Sequence, residues 1–155
     1  MKLYLVQHAE AKSKKEDPSR PLSDKGWGDI KRVAKYAGKH LRIQVEEIIH
    51  SGKLRAKQTA EVLAEHLNPI KGMMASEDLE PLADPKIWKN RLAKTTRNIM
   101  MLGHLPHLSK LTSLLLTGVG SKEIVRFRMG GIICLERDED SRWTIKWMIT
   151  PETIP

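Results

Sequence analysis

One cysteine stands in the whole chain, Cys134, and it lies in the apolar run 131–135. An internal disulfide is therefore excluded, and the setting marks a small buried hydrophobe instead of a reactive thiol. No apolar stretch approaches the roughly 18 residues of a membrane span, and none follows a basic start, so no membrane partner and a cytoplasmic protein are expected. Aromatic side chains are few, with one phenylalanine, two tyrosines and four tryptophans, which leaves little for base stacking. The net charge of +8 is spread along the chain without basic clusters, so nucleic acid is not expected as a partner. Such a surface still raises the local concentration of anions, phosphorylated ones among them. The segment Gly118-Val-Gly-Ser-Lys122 lacks the first glycine of a phosphate loop and follows a helix, so nucleotide binding is not expected there. His104 and His107 have Pro106 between them and no adjoining cysteine or paired carboxylate, so neither metal nor cofactor is expected.

What is present suffices for one domain over residues 1–155. At 40 % hydrophobic, a chain of this length buries about 68 to 70 % of its unfolded surface. Alternating apolar residues predict a first strand over 3–6 that stops at Gln7-His8. Residues 12–20 are charged and read as a loop. Ser23 caps a predicted helix over 24–41, with Trp27, Ile30, Val33, Ala34, Ala37 and Leu41 on one face. A short strand over 47–50 turns at Ser51-Gly52 into a helix over 54–67, with Leu54, Val62, Leu63 and Leu67 as its apolar side. A weak strand falls at 71–75. Asp84-Pro85 starts a helix that carries Ile87, Trp88 and Leu92 inward. The continuous apolar run 98–103 predicts a strand covered on both faces, followed by a leucine-rich helix to about 116. Runs at 132–136 and 143–148 predict a terminal hairpin. The order implies a three-layer α/β/α sandwich with a mostly parallel sheet and a C-terminal antiparallel hairpin.

Three predicted strand ends carry the residues suited to chemistry: Gln7-His8, the stretch from Ser51 to Arg55, and His104. Ligands of open α/β sheets bind at the carboxyl ends of strands. His8 alone reads equally well as a capped strand end. Arg55 falls in the first turn of a helix, where backbone N–H groups and the helix dipole favour an anion and a guanidinium matches phosphate oxygens, although taken alone it reads better as a surface arginine in Lys53-Leu-Arg-Ala-Lys57.

Five stretches in order resemble the histidine phosphatase superfamily: Leu5-Val-Gln-His8-Ala-Glu-Ala, Arg20-Pro-Leu-Ser-Asp-Lys-Gly26, His50-Ser-Gly-Lys-Leu-Arg55-Ala-Lys-Gln-Thr-Ala60, Leu79-Glu-Pro-Leu82 and Leu102-Gly-His104-Leu-Pro106. The short length and the Arg-Pro-Leu-Ser stretch resemble the SixA-like phosphohistidine phosphatases in particular. The resemblance implies a phosphoglycerate mutase-like fold and a metal-independent phosphatase whose nucleophile, His8, becomes transiently phosphorylated. It implies that Arg55 and His104 hold the phosphoryl oxygens, and that Glu80 is the proton donor, with Asp84 better suited to capping. The implied partner is a protein bearing phosphohistidine, or a small phosphorylated molecule. One departure stands out, because the family motif is Arg-His-Gly and this chain has Gln7-His8-Ala9. Gln7 removes a positive charge from the phosphate site, and Arg20 is the nearest candidate to compensate. A phosphate- or phosphoprotein-binding module of little or no activity is the alternative reading. His107 is expected at the pocket rim and His50 beneath the pocket floor.

Overall fold

The computed structural model describes residues 1–155. Strand β1 (Lys2–Gln7) is followed by α1 (Asp24–His40), β2 (Glu47–His50), α2 (Leu54–Leu67) and β3 (Met73–Ala75). A single 3-10 turn (Glu77–Leu79) then leads to α3 (Pro85–Ala93), β4 (Ile99–Gly103), α4 (His107–Thr117), β5 (Ile132–Arg137) and β6 (Trp143–Ile149). The strands form one sheet in the order β3-β2-β4-β1-β5-β6. β1, β2, β3 and β4 run parallel, while β5 is antiparallel to β1 and β6 to β5. The sandwich and its terminal hairpin match the sequence expectation.

Period-two alternation divides β1 between two cores. Tyr4 and Val6 join Ile30, Val33 and Ala34 of α1 and Leu63 of α2 on one side of the sheet. Leu3 and Leu5 join Trp88 and Leu92 of α3 and Leu108 and Leu111 of α4 on the other. β4 is buried at every position, which is why its sequence carries no polar alternation. No helix is long and apolar enough to cross a membrane.

The predicted caps form. Ser23 Oγ accepts from Gly26 N at 3.1 Å, and Asp84 Oδ1 accepts from Lys86 N at 2.9 Å. Two side chains read as inward are not. Leu54 and Ile87 are each 36 % exposed; both fall in the first turns of their helices, whose buried residues come later. β3 is shorter than expected, and as an edge strand paired only with β2 it has little to fix its length.

One glycine is required by a close approach. A Cβ built on Gly26 would lie 2.0 Å from the Glu10 carbonyl oxygen, so α1 enters directly against the segment that follows β1. Gly26→Ala is expected to cost about 1–3 kcal/mol through forced displacement. It should also shift the residues next to His8. A lowered thermal midpoint, with chemical-shift changes concentrated at residues 8–11, checks this; an unchanged midpoint would contradict it.

Candidate functional site

β1 and β4 end side by side, with Gln7 opposite Gly103 and His8 N donating to Gly103 O at 3.2 Å. That pairing sets His8 and His104 next to each other, with ring centroids 5.0 Å apart and planes tilted by 49°. His8 Nδ1 lies 2.7 Å from the Ala9 carbonyl oxygen. A carbonyl only accepts, so Nδ1 carries the proton and Nε2 keeps its lone pair. Ala9 N in turn donates to Thr59 Oγ1 at 3.0 Å, and that hydroxyl donates to Arg55 O at 2.7 Å. Thr59 thus ties the His8 loop to the first turn of α2, one turn after Arg55. Arg55 is half-buried, and its Nε is buried without a protein partner.

His104 is held from its other side. Its Nε2 lies 2.6 Å from Ser51 Oγ, which also accepts from Lys53 N at 3.3 Å. With the Ser51 hydroxyl donating to Nε2, the His104 proton sits on Nδ1. Nδ1 is buried and has no protein partner. Beneath it, His50 Nδ1 accepts from Gly52 N at 3.1 Å and supports the turn that presents Ser51, as expected of the floor.

These groups form a desolvated, positively biased cluster. Burial pushes His8 down to about 4, with Arg55 and Arg20 adding to the effect and the Ala9 bond opposing it. Burial likewise pushes His104 down to about 3, helped by His8, Arg55, Lys53 and Arg20. Burial and Arg20 lower Arg55 as well. Both imidazoles are neutral at pH 7, and Arg55 and Arg20 leave the cluster positively biased. The charge of Arg20 acts on all three residues, so the Arg-Pro-Leu-Ser loop does bring a cation to the site. That loop is fixed by Lys12 N to Pro21 O at 2.8 Å, Arg20 Nε to Lys12 O at 3.0 Å and Leu22 N to Gln58 Oε1 at 2.8 Å.

The remaining expected residues sit less centrally. Gln7 ends β1 with its carbonyl accepting from Gly130 N at 2.9 Å, and its amide group bonds no protein atom. Glu80 is exposed, on the wall of an open groove of about 480 Å³ that it shares with Ser51, Lys53, Ser76 and Glu77. Asp84 is the cap of α3. His107 is not at the rim: it is fully buried, because α4 begins there and residues 107 and 111 share the helix face that packs inward. Thr59 and Gln58 were not singled out by sequence, and Ser51 only as the start of the stretch to Arg55. The four-residue step from Arg55 to Thr59 was the available signal for one of them.

The buried neutral histidines make stability depend on pH. In the unfolded chain a histidine binds its proton near 6.5, whereas folded His8 and His104 do so only near 4 and 3. Between those values the unfolded state holds more protons, so stability falls as pH drops below about 6.5. At about 1.4 kcal/mol per unit, the His8 shift alone corresponds to about 3 kcal/mol. Thermal midpoints between pH 7 and 4 should therefore fall less steeply in His8→Ala than in the parent, and parallel curves would contradict the assignment.

No family model matches the chain. The phosphohistidine phosphatase SixA of Escherichia coli K12 is 24 % identical over 156 residues, spanning 97 % of this chain and 94 % of that protein. An uncharacterised protein of a Picosynechococcus species is 33 % identical over 119 residues, 71 % of this chain and 70 % of its own length. The solved structure of SixA complexed with tungstate superposes with a TM-score of 0.84 at 24 % identity, covering 97 % of both chains. The alpha-ribazole phosphatase of Shigella flexneri superposes at 0.78 with 13 % identity, again over 97 % of each. The phosphoglycerate mutase-like fold is thus the shared architecture, and over nearly its whole length the chain is similar to the phosphohistidine phosphatase SixA.

Proposed function

We propose that this chain, acting as a single cytoplasmic domain, is a metal-independent phosphatase that hydrolyses phosphohistidine on a signalling or phosphotransfer protein. The observation that carries the proposal is the locked His8 tautomer, which leaves the Nε2 lone pair available beside His104. In the first step Nε2 attacks phosphorus in line, a P–N bond forms to His8, and the bond to the leaving group breaks. In the second, water attacks phosphorus from the opposite side, the P–N bond to His8 breaks and inorganic phosphate leaves. Arg55 and the Nδ1–H of His104 stabilise the charge on the equatorial oxygens, and their unpartnered buried donors are ready to do so without rearrangement. Arg20 adds long-range positive charge. An imidazole leaving group has a conjugate acid near 6.5, so a weak donor such as the exposed Glu80 suffices. That requirement favours a phosphoramidate over a phosphoserine. The tungstate bound by the SixA structure, a tetrahedral oxyanion, supports an oxyanion site in the shared fold.

Release of inorganic phosphate from a phosphohistidine peptide tests the activity: the parent protein should release it, and phosphate binding without release would favour the non-catalytic module. Gln7 is the residue that favours this second reading. Its amide donates at most a neutral hydrogen bond, about half the strength of a charge-assisted one. Gln7→Arg is accordingly expected to raise kcat/KM about tenfold, the equivalent of about 1.4 kcal/mol. An unchanged value would mean that Arg20 already supplies the missing charge.

Ser51→Ala removes the hydroxyl that fixes the His104 tautomer. It should lower kcat by about ten- to a hundredfold with little change in KM, since the interaction matters where charge develops. A rise in KM alone would assign Ser51 to substrate binding instead.

A further inference from the structure

The rim of the His8 pocket is built from loops at one end of the sheet, and its composition is divided. On one side, three large apolar side chains are exposed: Leu82 at 88 %, Leu105 at 41 % and Met129 at 42 %. Leu82 lies two residues beyond Glu80, which lines the groove with Ser51, and Leu105 follows His104 directly. Met129 precedes Gly130, whose N–H bonds Gln7 O and where an added Cβ would stand 3.8 Å from the Ala9 side chain. On the other side, the loop from β1 to α1 and the start of α2 carry Lys12, Lys14, Lys15, Arg20 and Lys53. None of these cations is in an ion pair. The carboxylates within that loop are occupied locally: Glu10 by Ser23, Glu16 by Ser13 and Asp17 by Ser19. Glu77 and Glu80, which line the groove together with Lys53, oppose the cations.

A small phosphorylated metabolite would make no use of apolar side chains standing this far into solvent around its binding site. Clustered exposed apolar residues beside a functional pocket mark a protein interface, and unpaired cations steer an acidic partner onto it. Resting on the reading of the site as a phosphohistidine pocket, we infer that its rim is a docking surface for a protein. The segment carrying the phosphorylated histidine presents apolar side chains to Leu82, Leu105 and Met129, and acidic ones to the lysines of the β1–α1 loop and Lys53. Glu77 and Glu80 disfavour the reversed orientation.

Two peptides carrying the same non-hydrolysable phosphohistidine mimic test this by fluorescence anisotropy, one flanked by leucine, aspartate and glutamate, the other by serine and glycine. The first should bind about tenfold tighter at low salt, with the difference narrowing as salt rises. Leu82→Ser combined with Met129→Ser should remove most of that advantage while leaving the affinity for inorganic phosphate unchanged. Lys53→Glu should remove the contribution of the acidic flank. Equal affinity for the two peptides, or variants that weaken both alike, would overturn the docking surface. A preference for the acidic, apolar peptide without phosphate release from its hydrolysable form would keep the surface and overturn the catalytic reading. Equal release from both hydrolysable peptides would do the reverse.

Discussion

Replacing His8 by asparagine is expected to lower phosphate release by on the order of 10⁴-fold or more while leaving the protein folded. The side chain is buried, and its one hydrogen bond, to Ala9 O, is of a kind the asparagine amide can also donate. Shape and polarity are therefore kept while the nucleophilic lone pair is lost. No neighbouring group takes over the role: His104 has its Nε2 committed to Ser51 and its Nδ1 protonated. Circular dichroism and a thermal midpoint taken alongside turnover separate loss of chemistry from loss of fold. Turnover within tenfold of the parent would remove His8 from the chemistry.

The second large effect is expected at Arg55. Arg55→Ala should lower kcat/KM by about 10²- to 10³-fold, the range for losing one preorganised donor to a developing charge. Arg55→Lys should recover only part of it, because an ammonium does not reproduce the planar fork that matches two phosphate oxygens. The pH profile should also move. Arg55 is among the charges that push His8 down to about 4, so its removal lets the His8 pKa rise towards the ordinary 6.5. The nucleophile is active when neutral, and the acidic limb of kcat/KM would then shift to higher pH. A loss in rate with an unmoved limb would mean that the charge of Arg55 is not felt at His8.

The candidate site was legible in the sequence chiefly through the family resemblance, and its residues sit where regular elements end. His8 closes a predicted strand, His104 follows a glycine after another, and Arg55 stands in a helix first turn behind Ser51-Gly52. Each position follows from periodicity and breakers, and the parallel pairing of β1 with β4 then brings the two histidines together. The connections between them were hidden. Thr59 and Gln58 act by accepting hydrogen bonds from backbone N–H groups of Ala9 and Leu22, residues far away in sequence. Composition gives no sign of such a bond, which depends on how the first two helices cross. Gly26 is similar, for its need appears only when α1 is seated against Glu10.

His107 shows the opposite error. A histidine three residues beyond a site histidine suggested shared exposure, but the helix starting at that residue turns it towards Leu111 and the core. Ile87 and Leu54 failed at the same kind of place. Both stand in first turns, and periodicity alone does not say where burial begins. The strand β3 was weak in sequence for a reason visible in the fold, since an edge strand of three residues carries neither alternation nor a continuous apolar run.

Trapping the covalent intermediate would decide most directly whether His8 accepts the phosphoryl group. The protein is mixed briefly with an excess of a radiolabelled phosphohistidine peptide, quenched in alkali, digested and mapped by mass spectrometry. Label should appear within one turnover on the peptide containing His8, survive base, be released by acid and be absent from His8→Asn. Steady release of phosphate with no label on His8, or label on His104 in its place, would contradict a direct transfer to Nε2 of His8.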